Sequence, residues 1–164
     1  MIRRLLLTSV LILPLPLSAE EPSVRIEPAQ LQGSRPLEKQ TESSVIRDYL
    51  QSWKSMQAAF DQNQTSKLDP NFIGTARERL GEAIGGEAKL GLHTHYEDRS
   101  HDLQIVFYSP EGLSIQLIDT VIYEQQVFEK DKPLGKRTVT QRYLIVLTPS
   151  DVRWQVRIFQ SSAI

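Results

Sequence analysis

"LSIQLIDTVIYEQQVF", residues 113–128, reads as one long extended strand. Its apolar residues fall on both parities, with Leu117 and Val121 on one side and Ile118 and Ile122 on the other. A sheet covered on both faces reads this way. The segments around it share its period of two. "LQIVFYS" (103–109) precedes it across the turn "PEG". "KRTVTQRYLIVLT" (136–148) follows across the polar turn "EKDKPLG", and "VRWQVRIFQ" (152–160) follows "PSD". Short turns between consecutive strands predict an antiparallel meander. The last strand alternates cleanly, with Val152, Trp154, Val156 and Ile158 opposite Arg153, Gln155 and Arg157.

Upstream of the strands the period is helical. Ile46, Tyr49, Leu50, Trp53, Met56 and Phe60 follow the three–four spacing of an amphipathic helix that begins near Ser44. Asp48 then falls in its first turn, where a carboxylate suits the positive end of the helix dipole. Asp69 and Pro70 have the residue types of an N-cap and first helical position, and Phe72, Ile73, Ala76, Leu80, Ala83 and Ile84 form a second stripe. Gly85 and Gly86 are its natural stop, with a further turn through Leu90 as the alternative. The fold class is α+β: N-terminal helices packed on a curved, mainly antiparallel four-stranded meander sheet.

The first 43 residues read differently. "MIRR", an apolar run of thirteen residues at 5–17 and the small residues around Ala19 have the three-part layout of a secretory signal peptide over 1–19. An uncleaved anchor is the alternative. Residues 20–43, rich in proline and polar groups, read as a flexible linker or arm before a domain at 44–164, unless Val24 and Ile26 add a short edge strand. The chain has no cysteine, which removes disulfides, thiolate nucleophiles and lipid attachment on cysteine. Loss of Arg3 and Arg4 with the leader would move the formal charge from −1 to −3. With no basic run, nucleic acid is not an expected partner. The expected location is periplasmic or secreted, with no membrane contact after cleavage.

"YLQSWKSM" in the first helix, the capped second helix, "GLSIQLIDTVIYEQQ", and the closing pair "TVTQRYLIVLTPSDVRWQV" resemble the nuclear transport factor 2-like superfamily. This is the cone-shaped α+β fold of polyketide-cyclase-like and ketosteroid-isomerase-like proteins. The ending also looks like the intermembrane domain of chloroplast-division proteins. The resemblance covers roughly Ser44 to Gln160 and is architectural. It implies a fold that enzymes, ligand binders and interaction modules share, and it carries no catalytic motif across.

The candidate sites must come from individual residues. "LHTHYEDRSHD" (92–102) holds His93, His95 and His101. In a strand, His93 and His95 share a face, but His101 lies about 20 Å further along. In a helix, His93 and His101 are about 12 Å apart. Neither form gathers all three on one ion, so no metal is expected and the stretch reads as a mostly solvated rim. Asp119, mid-strand between apolar neighbours, is the first acid–base candidate, with Tyr143 and His95 beside it. Its alternatives are an ion pair with Arg99 or Arg142, or a solvent-facing position. Tyr49, Trp53 and Tyr96 are candidate cavity-lining residues, with core packing as the simpler role for an aromatic helical stripe.

No catalytic set converges in the sequence, which favours an exported non-enzymatic domain that binds a protein partner or a small apolar ligand. Pairing of two copies through the sheet face is an expectation of the same kind. The alternative is a small cone-pocket enzyme of isomerase, dehydratase or cyclase type, with Asp119 as acid or base. No cofactor is expected.

Overall fold

The computed structural model describes residues 21–33 and 35–162. The expected signal peptide lies outside these residues. The order of elements is β1 (Ser23–Ile26), α1 (Lys39–Gln62), a 3-10 turn (Thr65–Leu68), α2 (Gly74–Lys89), β2 (Leu92–Tyr108), β3 (Ile115–Glu129), β4 (Lys132–Pro149) and β5 (Trp154–Ser162). The α+β class stands, but the sheet has five strands in the order β1-β2-β3-β4-β5 and is mixed. β1 comes from the segment read as a linker and is the short edge strand at Val24 and Ile26 that was the alternative reading. It pairs in parallel with β2, Val24 opposite His101 and Arg25 opposite Asp102. The Arg25 guanidinium donates from Nε and Nη2 to Asp102 at 2.7 Å each, a bidentate clasp that holds an otherwise polar arm to the edge. Among the described residues, no helix is long and apolar enough to cross a membrane.

The apolar stripe of α1 is buried as its spacing predicts, at Ile46, Tyr49, Trp53, Met56 and Phe60. The helix starts five residues earlier than expected, so Asp48 sits inside it and not in the first turn. Asp48 Oδ2 instead accepts the backbone N–H of Trp154 at 2.9 Å, tying the helix to the start of β5. α2 begins at Gly74 and not at Pro70. The reason is tertiary: Val156 N–H donates to Asn71 and Ile73 N–H donates to Val156, so residues 71–73 are held extended against β5. The helix then runs through Gly85 and Gly86, held by fully buried Ile84, and ends where Gly91 takes φ +71°.

The β3–β4 connection is tighter than its sequence suggests. Glu129 pairs with Lys132 around Lys130 and Asp131, and much of the expected turn is strand. Pro133 is accommodated at the register shift between Val127 and Phe128. Along β3 the inward residues Ile115, Leu117, Asp119, Val121 and Tyr123 are buried, and the alternate ones are at least partly exposed. The core lies between this face and α1.

β2 is the element that positions the site. It contains the whole histidine stretch, and two register shifts break its alternation, between Asp98 and Ser100 and between Ile105 and Phe107. Thr94, Tyr96 and Asp98 face inward before the first bulge; His101, Leu103 and Ile105 after it; Tyr108 after the second. An extra residue in one strand reverses which parity faces the core.

Candidate functional site

The first bulge places Asp98 and His101 on one face although they are three residues apart. His101 is 1% exposed and Asp119 is fully buried. His101 Nδ1 donates to Asp119 Oδ2 at 2.7 Å, and the Tyr49 hydroxyl donates to the same oxygen at 2.6 Å. On the far side of the ring, Nε2 lies 3.5 Å from Asp98 Oδ2, and the Trp53 indole N–H donates to Asp98 Oδ1. The result is a buried row, Tyr49–Asp119–His101–Asp98–Trp53, assembled from α1, β2 and β3. The Trp53 ring also packs edge-on against His101, with centroids 5.2 Å apart.

The electrostatics follow from this placement. Burial by itself disfavours the imidazolium, but the hydrogen bond to Asp119 and the charges of Asp119 and Asp98 outweigh it and push the His101 pKa up to about 9. The ring is therefore an imidazolium at neutral pH, held between two carboxylates. Burial raises the Tyr49 phenol well above its usual range, and the charge of Asp119 adds to that, so Tyr49 stays a donor. Asp119 is neither unpaired nor matched to an arginine. Arg99 pairs with Glu97 and Glu124, and Arg142 lies exposed opposite Thr120. Its partner is a histidine.

The other candidates separate into two groups. Tyr143 is the cross-strand neighbour of Asp119, and its ring stacks on Phe159 at 4.4 Å and lies 5.8 Å from Trp53. Burial raises its hydroxyl pKa, with Tyr123 adding to the shift. Tyr96 packs edge-on against Phe60 and Tyr123, and burial likewise raises its pKa. Trp53 packs against Tyr123, Tyr143 and Phe159; Tyr49 and Trp53 belong to the buried core, and Tyr96 packs against it.

His95 stands apart. It is half-exposed at the far end of β2 and meets Asp61 at 3.1 Å. His93 stacks on Phe128 and donates from Nε2 to the Lys130 carbonyl at 2.9 Å. Among the described residues, no group of three metal-ligating side chains converges. The reading of the stretch as a solvated rim is corrected for its C-terminal part: His101 is core, and it is the functional candidate that sequence reasoning passed over together with Asp98. The only local signal was two carboxylates flanking a histidine, and strand alternation argued against their sharing a face.

The last described piece is a cavity of about 170 Å³ beside this row. It lies between Glu21, Pro22 and Val24 of the N-terminal arm, Leu50 and Lys54 of α1, and Asp98 and His101 of β2.

No family model matches the chain, and no curated protein matches it in sequence. Solved structures do match. The intermembrane space region of the chloroplast protein ARC6 superposes with a TM-score of 0.63 at 15% identity, covering 79% of this chain and all of that one. A putative scytalone dehydratase from Novosphingobium aromaticivorans superposes with a TM-score of 0.52 at 12% identity, covering 77% of this chain and 89% of that one. An NTF-2 like protein of unknown function from Shewanella oneidensis gives 0.41 at 12% identity, over 72% of this chain and 98% of that one. Identities this low speak to architecture alone. The chain shares its α+β architecture with the ARC6 intermembrane space region and the scytalone dehydratase structure.

Proposed function

We propose that this is an exported, non-enzymatic interaction domain whose binding surface is the outer face of the sheet, and that its occupant is a second copy of the chain. One observation carries the reading. The outer face presents Ile118 beside Leu144, and Val146 beside Ile158, with Ile122 further along β3, all partly exposed. A contiguous apolar patch on a soluble domain marks an interaction site. The inner face supports the same conclusion, because aromatic rings fill it and the acidic and basic groups there bond to one another. The basic head and apolar run before residue 20 support export.

Light scattering of the purified protein at high concentration tests this. We expect a dimer, and a monomer with unchanged circular dichroism for Leu144→Glu. A wild-type monomer at every concentration overturns the reading.

A second reading, an isomerase-, dehydratase- or cyclase-type site using Asp119, is favoured by one observation. The row from Asp119 through His101 to Asp98 ends at a cavity, so a proton held on His101 lies next to a space that a substrate group can enter.

A further inference from the structure

His101 Nε2 is buried, and no described residue accepts its hydrogen in good geometry. Asp98 Oδ2 is 3.5 Å away, long for a hydrogen bond between them. Asp98 Oδ1 is already used by Trp53. An unmet buried donor therefore faces a carboxylate oxygen with spare capacity, and both residues line the 170 Å³ cavity. An oxygen placed beside this gap would satisfy both, accepting from Nε2–H and donating to Oδ2. A hydroxyl does both at once; a bare carbonyl does only the first. The remaining lining is Pro22, Val24 and Leu50, with the charged residues Glu21 and Lys54. The volume is below the roughly 300 Å³ at which drug-sized pockets begin, so the space suits a compact molecule.

We propose that this cavity is a binding site for a small alicyclic or branched alcohol. Its hydroxyl sits between His101 Nε2 and Asp98 Oδ2, its apolar body rests on Val24 and Leu50, and β1 forms the roof. The site depends on neither reading of the function above, since it needs no reaction and lies on the side of the sheet away from the outer apolar patch. β1 is suited to the part of a roof. It is a four-residue edge strand, exposed throughout and fastened by the Arg25–Asp102 clasp.

The test is an NMR titration of the ¹⁵N-labelled protein with cyclohexanol, with cyclohexane as the apolar control, following the His101 ring nitrogens. We expect a saturable shift of Nε2 with cyclohexanol and at least tenfold weaker binding of cyclohexane. Val24→Trp, a substitution at an exposed strand position that fills the cavity from its roof, should weaken cyclohexanol binding at least tenfold with unchanged circular dichroism. Absence of a saturable shift overturns the proposal, as does equal binding of cyclohexane. Undiminished binding to a folded Val24→Trp protein overturns it too. Should that variant not fold, the comparison of the two probes on the wild type decides alone.

Discussion

His101 donates to Asp119 across 2.7 Å in a part of the core where neither side chain is more than 1% exposed. The pair links β2 to β3 beneath α1, and Tyr49 joins it from the helix. A histidine buried in this way is a pH-dependent element of stability.

The folded pKa of about 9 lies above the ordinary value of 6.5. The native state therefore holds this proton more tightly than the unfolded chain does. The stabilisation is complete below about pH 6.5 and is lost as pH rises through about 9. A shift of this size corresponds to about 3 kcal/mol. Urea midpoints measured from pH 6 to pH 10 should fall over that window, and His101→Gln should flatten the fall. A wild-type profile as flat as that of the variant would show that His101 is not held as an imidazolium.

Asp119→Asn keeps the shape of the side chain and removes its charge. The His101 imidazolium then loses its closer carboxylate while buried, and breaking a buried pair from one side costs about 3 kcal/mol. Chemical denaturation at pH 7 checks this, and the expected outcome is a clear loss of stability. A gain would mean that Asp119 stands unpaired and desolvated, the arrangement a catalytic acid requires.

Tyr49→Phe keeps the ring in the core and deletes only the hydroxyl that donates to Asp119. A hydrogen bond to a charged group contributes about 2 kcal/mol. The loss should appear as a lower denaturation midpoint with an unchanged slope. Its coupling to Asp119→Asn should be large, because both changes act on one carboxylate. Strict additivity of the two would place Tyr49 outside the network.

Chelation addresses the other two histidines. His93 and His95 both turn Nδ1 toward Asp61, at 3.9 and 3.1 Å. The His93 ring is also stacked on Phe128 and bonded to the Lys130 carbonyl, and the His95 ring is half-exposed. The melting temperature of the purified protein should not change on adding EDTA. A marked drop that zinc restores would reassign this end of β2 as a metal centre.

The periodicities were enough for the fold class. The helical stripe from Ile46 to Phe60 and the alternation from Ile115 to Tyr123 are local patterns, and each is imposed by one element burying one face. Asp119 could be singled out for the same reason, as a carboxylate on the buried parity of a long strand. Its partner could not. His101 and Asp98 have opposite parity along the chain, so reading β2 as a regular strand sends one of them to solvent. Only pairing with β3, which absorbs Arg99 as an extra residue, turns both inward. The edge strand β1 stood in the sequence only as an alternative, at Val24 and Ile26, because four exposed residues carry no burial pattern; it is held by β2 and by Asp102 from 77 residues away. Sequence by itself determined which faces are apolar, since that depends on neighbours in the chain. Tertiary structure decided register, bulge and edge pairing, since those depend on hydrogen bonds between segments far apart in it.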